Sequence, residues 1–389
     1  MNAPHRAGSL NPHFGIQGLA ELPQFGNITG RLIASVISQE KQLLACGYAF
    51  RPESSYYAMA RFTQDGKLDE TFGSEGKSYG KFDGHNQSTA QAVATSADRI
   101  WLLGSAGSSR LIAARFDKDG KASPTCFELP SPEGAHLLPE SARIVIGAGQ
   151  VLACASFEGG RGRVFRLDCD GQPGAGDTSY IDIEFVGHGI RIASIVATPT
   201  AFFVVGTMTN AATGLKTGFV ARYLPDGTRD RFFGDESGFK LIKVRSQDTW
   251  IEQLQLRPSG ELLVVGKVKP PSSSEQALAW QFTSSGAIDT HFNHGNPILS
   301  EDDQHTATWN TCALQADGKV TLFGQSSGGD LRAKRLERDG SPDEAFILEV
   351  PLFTDNNLTT VQRDKDVLLA LNSSAAVGTA GFIVSFLIA

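Results

Sequence analysis

Three short signals recur in fixed order along this chain, and the last member of the final set stands at the beginning instead of the end. The first signal is an apolar run closed by Gly or another small residue: Gln42-Leu-Leu-Ala-Cys-Gly47, Arg99-Ile-Trp-Leu-Leu-Gly104, Gln150-Val-Leu-Ala-Cys-Ala155 and Ala201-Phe-Phe-Val-Val-Gly206. It continues as Glu261-Leu-Leu-Val-Val-Gly266, Lys319-Val-Thr-Leu-Phe-Gly324 and Asp366-Val-Leu-Leu-Ala-Leu371. The second is an alternating strand, as in Ala58-Met-Ala-Arg-Phe62, Phe219-Val-Ala-Arg-Tyr223 and Phe382-Ile-Val-Ser-Phe386. The third is a turn box of the kind Asp65-Gly66, Asp119-Gly120, Asp226-Gly227 and Asp339-Gly340, followed in most repeats by an Asp and then Phe-Gly or Phe. After Phe386 the chain has no room for that box. It stands instead at the start, as Gly8-Ser-Leu-Asn-Pro-His-Phe14-Gly15, and Gly8 to Gly66 and Phe14 to Phe72 are both 58 residues, one full period.

Each period holds two further strand candidates. One precedes the small-residue run (Arg31–Ile37, Ala90–Ser96, Ala142–Gly147, Arg191–Ala197, Ile251–Arg257, Asn310–Gln315 and Leu358–Arg363), and one follows the Phe-Gly, as in Gly76–Phe82. Four antiparallel strands per repeat without helical spacing predict an all-β, seven-bladed β-propeller of four-stranded antiparallel blades. The expected organisation is one domain over residues 1–389, closed by the N-terminal strand joining the C-terminal blade. Residues 8–22 complete the blade formed by about 358–389, and pairing the first strand into the last blade removes an open sheet edge. With 42 Gly, the composition suits many tight turns.

The boxes Ala60-Arg-Phe-x-x-Asp-Gly-Lys-Leu-Asp-Glu-Thr-Phe-Gly73 and Ala221-Arg-Tyr-x-x-Asp-Gly-Thr-Arg-Asp-Arg-Phe-Phe-Gly234 resemble the bacterial delta-60 repeat. The resemblance spans nearly the whole chain. It is weakest in the third repeat, where Asp170-Gly171 runs into Gln-Pro-Gly-Ala-Gly with no Phe-Gly. It implies a propeller-like array and brings no catalytic residue with it.

In a propeller the segments leading from each outer strand to the next inner strand line one mouth of the central channel. Here they contain Asn27, His85, Asn86, His136, His188, Asp248, His305 and Asn356, with Trp250 and Trp309 entering the following inner strands. Four of the eight histidines occupy this one structural position. Imidazole, amide and carboxylate groups beside aromatics suit a small-ligand site, and these ten residues form the candidate channel mouth. The plainer reading is a set of solvated loop tips. Blades around a ring stand too far apart to share bonds of about 2.1 Å to one ion, so no metal is assigned. No cofactor is assigned either.

Arg61 with Asp69, Arg222 with Asp230 and Arg335 with Asp343 stand eight residues apart in their repeats. Recurrence with the repeat points to pairs that fix blade corners. Asp117-Lys-Asp119-Gly120 and Asp168-Cys-Asp170-Gly171 resemble the start of a calcium loop but lack its terminal Glu, and read as Asp-Gly turns. Catalytic motifs are missing from the sequence: there is no Gly-x-Ser-x-Gly elbow and no Gly-rich phosphate loop leading into a helix.

A net charge of −7 with no block of like charge argues against nucleic acid as partner, and no apolar stretch is long enough for membrane insertion. Residues 1–15 hold no apolar h-region, so no secretory signal is expected. Five cysteines without a CxxC pair suggest free thiols, with Cys46 and Cys154 buried, and a reducing cytoplasm. Two functional classes stand open. The first is a non-enzymatic recognition module that uses the channel mouth or blade loops to bind a protein or carbohydrate partner. The second is a hydrolase or lyase acting on a glycan or small molecule at the mouth, with the histidines as acid–base groups.

Overall fold

The structure, a computed structural model, describes residues 6–25, 29–39, 41–107, 109–171, 180–235, 237–271, 273–300, 306–348, 358–375 and 378–388. The chain is a seven-bladed β-propeller of antiparallel sheets. Strand β1 (Leu19–Glu21) comes first, followed by the first sheet, β2 (Thr29–Gln39), β3 (Gln42–Arg51), β4 (Ser54–Phe62) and β5 (Lys77–Gly80). The second sheet is β6 (Ser88–Thr95), β7 (Arg99–Ala106), β8 (Arg110–Asp117) and β9 (Thr125–Leu129), and the third is β10 (Leu137–Gly147), β11 (Gln150–Phe157), β12 (Arg161–Leu167) and β13 (Tyr180–Ile183). The fourth contains β14 (His188–Ala197), β15 (Phe202–Asn210), β16 (Lys216–Tyr223) and β17 (Phe239–Ile242). The fifth contains β18 (Asp248–Leu256), β19 (Leu262–Lys269), β20 (Gln276–Phe282) and β21 (Ile298–Leu299). In the sixth, β22 (Thr306–Leu314), β23 (Val320–Ser326) and β24 (Leu331–Leu336) are described. The last sheet runs in the order β1, β27 (Gly378–Leu387), β26 (Asp366–Ala375), β25 (Thr359–Gln362).

The chain divides into two compact units, one of residues 1–131, 329–331 and 344–389, the other of residues 132–328 and 332–343. In the first unit, β2 packs against β6 and against β25 and β26; in the second, β10 packs on β14, β14 on β18 and β18 on β22. First strands therefore lie side by side. The cores sit between successive sheets: Leu44, Met59, Phe72, Val93, Leu102 and Phe116 between sheets one and two, for example, and Val205, Val220, Leu254, Val264 and Leu278 between four and five. A single sheet has too little apolar area to bury alone, so each depends on its neighbour.

The N-terminal segment does complete the last sheet. Leu19, Ala20 and Glu21 pair with Val384, Ile383 and Phe382. Upstream, Gly8 N donates to Leu387 O (2.8 Å) and Asn11 N to Ser385 O (2.9 Å), while Leu387 N donates to Ser9 O (2.9 Å) and Ser385 N to Gly18 O (2.9 Å). The displaced turn box behaves as the others do. Phe14, Phe72, Phe233 and Phe292 are fully buried. Each lies against the glycine of the next turn box, and a Cβ on Gly66, Gly286 or Gly340 would come within about 3.1 Å of its ring. Beside each ring one backbone bond recurs: Gly15 N to Asp65 O, Gly73 N to Asp119 O, Gly234 N to Ser285 O and Asn293 N to Asp339 O, all 2.7–2.8 Å. The box glycines have positive φ, 78° at Gly66 and 87° at Gly286 and Gly340, where a side chain would add backbone strain.

The glycine that closes the apolar run has a different cause. In sheets two, four, five and six the first strand bulges beside it, between Ala90 and Ala92, Ile192 and Ser194, Ile251 and Gln253, and Trp309 and Thr311. The bulge presses a backbone carbonyl onto the glycine. A Cβ at Gly104, Gly206, Gly266 or Gly324 would overlap the carbonyl oxygen of Thr89, Arg191, Trp250 or Thr308 respectively. Sheet three carries Ala155 there, and its register instead jumps from Leu138↔Ser156 to Arg143↔Cys154, with Ser141 Oγ donating to Leu138 O (2.6 Å) and accepting from Ser156 N (2.7 Å). Sheet seven carries Leu371, and its described pairs end one residue short of it, at Thr359↔Ala370.

The corner pairs form as their spacing suggests. Arg61 Nε lies 2.7 Å from Asp69 Oδ2, Arg335 Nε 2.8 Å from Asp343 Oδ2 and Arg222 Nε 3.3 Å from Asp230 Oδ2. Arg61 also donates from NH1 to Lys118 O (2.9 Å), tying the first sheet to the turn of the second. The cysteines are all free, with Cys46, Cys154 and Cys312 buried.

Candidate functional site

A cavity of about 730 Å³ lies in the second unit at the outer part of the third sheet. Close glycine contact shapes it. Gly160, with φ at +72°, ends the β11–β12 hairpin against Gly189, where a Cβ would overlap the Gly189 backbone, and Ile190 N donates to Gly160 O (2.7 Å). The segment from β13 to β14 must then pass over the hairpin, and residues 184–188 form the far wall. Phe185 anchors that wall inward, its ring 5.2 Å from Phe219 and 4.8 Å from Phe239, and leaves Val186 fully exposed.

The polar lining is organised in pairs. Arg163 is buried and grips Asp182 with two parallel bonds (2.6 and 3.0 Å), its guanidinium 3.7 Å from the centre of the Tyr180 ring. Arg161, exposed at the rim, donates to Glu133 O (2.7 Å), and Glu133 and Glu184 add exposed carboxylates. His188 completes the wall. Its Nδ1 lies 2.8 Å from Val186 O, and a carbonyl can only accept, so Nδ1 carries the proton. Nε2 then accepts from Asn210 Nδ2 at 3.4 Å. Both ring nitrogens are engaged, which suits a positioned wall residue better than a proton shuttle. Guanidinium and carboxylate groups fixed beside an aromatic-backed loop can bind hydroxyls or amides through donors and acceptors together.

The other sequence-predicted residues fall as follows. In the first unit, His85 is half-buried after a 3-10 turn (Phe82–Gly84); its Nε2 accepts from Arg110 at 3.4 Å, while Asn86 is exposed and its Oδ1 accepts from Lys81 Nζ (2.8 Å). In the second unit, His136 is exposed, and its carbonyl accepts from Glu158 N (2.8 Å). Asp248 accepts from Lys216 N (2.8 Å), and the Trp250 ring lies under Lys216 and Lys267 (5.3 and 5.1 Å), so Asp248 and Trp250 meet on one lysine. Trp309 is buried among Val265, Phe292 and Leu322. Asn27, His305 and Asn356 lie outside the described residues. His85 bonds Arg110 of β8 and His188 bonds Val186 O and Asn210 of β15, each within its own blade. Sequence reading passed over Arg161, Arg163, Asp182 and Glu184; the available signal was the third repeat's departure from the Phe-Gly pattern, since the cavity sits at that repeat.

Comparisons with known proteins agree with the architecture. A family model described as a domain of unknown function (DUF5122) beta-propeller matches residues 315–346, within the sixth repeat. No curated protein matches. Among solved structures, the β-propeller domain of Cps50 (Swd1) from Myceliophteria thermophila is similar, with a TM-score of 0.50 and 12% identity over 92% of this chain and 99% of that one. A Trypanosoma rangeli sialidase in complex with sialic acid aligns with a TM-score of 0.42 and 8% identity, over 98% of this chain and 59% of the other. At such identities the first similarity is one of fold, and the second carries no argument.

Among the described residues, no group of three or more His, Cys, Asp or Glu side chains could hold a metal ion. Asp168 Oδ1 accepts from Asp170 N (2.8 Å), the bond of an ordinary Asp turn. No helix among the described residues is long and apolar enough to cross a membrane.

Proposed function

We propose that this protein is a non-enzymatic recognition module, and that the cavity beside the third sheet holds a carbohydrate or protein partner. The observation that carries this reading is the lining itself. Rigidly held Arg163 and Asp182, rim groups Arg161, Glu133 and Glu184, and the imidazole of His188 surround about 730 Å³ without a nucleophile activated by a base. Mixed donors and acceptors match the hydroxyls of an oligosaccharide, and this is the occupant we favour. A protein partner would draw on Val186, which stands fully exposed on the same wall. His85 and Asn86 in the first unit, and His136, Asp248 and Trp250 in the second, remain part of the proposal as further ligand contacts, each within its own unit. Five free cysteines support a reducing compartment such as the cytoplasm.

Titration with a panel of neutral and acidic oligosaccharides tests the reading. At least one should bind saturably without being cleaved. Arg161→Ala and Glu184→Ala, both at the exposed rim, should weaken it by about tenfold or more, equivalent to about 1.4 kcal/mol, while leaving the melting temperature unchanged. Release of a reducing sugar would favour the glycan-acting enzyme instead. Binding indifferent to both substitutions would remove this cavity from consideration.

A further inference from the structure

The wall of the cavity beside the third sheet is clamped from the fourth sheet, and one imidazole sits in the clamp. His188 opens β14 opposite Asn210, the last residue of β15, and both are half-buried. The ring places Nδ1 2.8 Å from Val186 O and Nε2 3.4 Å from Asn210 Nδ2. Beside it, Ala211 N donates to Gly187 O (2.9 Å) and His188 N to Phe185 O (3.0 Å). The segment 185–188 is thus held over the cavity by the β15–β16 hairpin.

Asn210 is unable to follow a change in the ring. Its Oδ1 accepts from Ala212 N (3.0 Å) and Thr213 N (2.9 Å), which shapes the hairpin tip and leaves the Nδ2 donor to face His188. Turning the amide over would set Nδ2 against two backbone N–H groups. A second proton on the ring makes Nε2 a donor as well, so donor meets donor and the bond is lost. The charges that share the cavity with the ring offset one another: Glu133, Asp182 and Glu184 stand with Arg161, Arg163 and Arg229, three of each sign. Asp182 is taken up by Arg163 (2.6 and 3.0 Å), and the Arg229 guanidinium lies over the Tyr223 and Phe239 rings (6.0 and 5.8 Å). On the hairpin the first charged residue is Lys216, with Nζ 3.8 Å from Asp248 Oδ2. The match of donor to acceptor at Nε2 therefore decides the state of the clamp.

We propose that His188 is a proton-operated latch on this cavity: neutral, it fastens the 185–188 wall to Asn210, and protonated, it lets go and turns toward the exposed carboxylates of Glu133 and Glu184, into the space a ligand would fill. Imidazole is the side chain that exchanges a proton between about pH 5 and 8. Ligand is accordingly held near neutral pH and released in mild acid. That effect rests on the carbohydrate reading of the cavity, whereas the latch itself needs no ligand.

Hydrogen exchange of the unliganded full chain at about pH 7.5 and about pH 5.5, corrected for the intrinsic pH dependence of exchange, tests the latch. Peptides covering residues 184–190 and 208–215 should exchange about threefold or more faster at the lower pH. Asn210→Asp keeps an oxygen for Ala212 N and Thr213 N and puts an acceptor in place of the donor, so the same peptides should then exchange more slowly at the lower pH. His188→Gln, which takes up no proton, should show no difference between the two. Exchange independent of pH in the native protein, or a pH dependence that survives His188→Gln, would overturn the latch. The panel of neutral and acidic oligosaccharides separates the latch from the ligand reading. A member that binds should do so about threefold or more weakly at about pH 5.5, and equal affinity at both values would contradict control of the cavity by His188. The expected exchange pattern with no oligosaccharide bound at either pH would uphold the latch and overturn the carbohydrate reading.

Discussion

Gly266 shows how one residue records a backbone event. The Trp250 carbonyl occupies the space its Cβ would need, because β18 bulges between Ile251 and Gln253. Gly266→Ala should therefore destabilise the protein by about 1–3 kcal/mol, the usual cost of overpacking, as measured by urea unfolding. Leu371 stands at the matching place in the last sheet, one residue beyond the described pairs of β25 with β26. The recurrence of these glycines was legible in the sequence, but their reason was not, since a carbonyl from a neighbouring strand leaves no mark on the glycine's own neighbours. The buried thiols of Cys46 and Cys154 were legible from their apolar runs, and burial raises the Cys154 thiol to about 12, far from reactivity.

At the scale of the element, the bulge also explains where strand boundaries escaped the sequence. Alternation predicts first strands beginning at Arg191 and Ile251; they begin at His188 and Asp248. A bulge inserts one residue, so the segment before it points its side chains with the opposite parity and the period-2 pattern is lost there. His188 and Asp248 consequently open strands instead of sitting at loop tips. The cavity beside β12 and β13 was illegible for a related reason: its walls come from segments around residues 133, 161 and 184, and only tertiary packing brings them together. In the last sheet, one carboxylate joins three segments. Asp366 accepts from Arg363, Ser385 and Asn11 Nδ2 (2.9 Å) and is 2% exposed. Burial works to raise its pKa, but the hydrogen bonds from Arg363, Ser385 and Asn11 and the Arg363 charge together hold it below the ordinary carboxylate value. A depressed folded-state pKa means that stability is fully present above about pH 4 and lost as acid titrates the folded carboxyl. Asp366→Asn should lower stability at neutral pH and flatten the fall in melting temperature below about pH 4, as seen by calorimetry across an acid series.

At the scale of the whole molecule, the seven-fold recurrence and its displaced turn box were enough to read the propeller class and the strand that completes the last sheet. A repeat built on the same three signals must bury the same faces, and the first and last repeats are no exception. What the repeats could not carry is function, because recognition depends on where they differ. The third repeat, without Phe-Gly, holds the cavity lined by Arg163, Asp182 and His188. The account rests on residues 8–22 serving as the fourth strand of the sheet formed by β25 to β27. Thermal unfolding of a protein lacking residues 1–22, compared with the full chain, tests this most directly. Losing Phe14 from its fully buried place would alone cost about 3–5 kcal/mol, so the melting temperature of a 389-residue chain should fall by at least about 4 °C. A truncated protein that melts at the same temperature as the full chain would contradict the account.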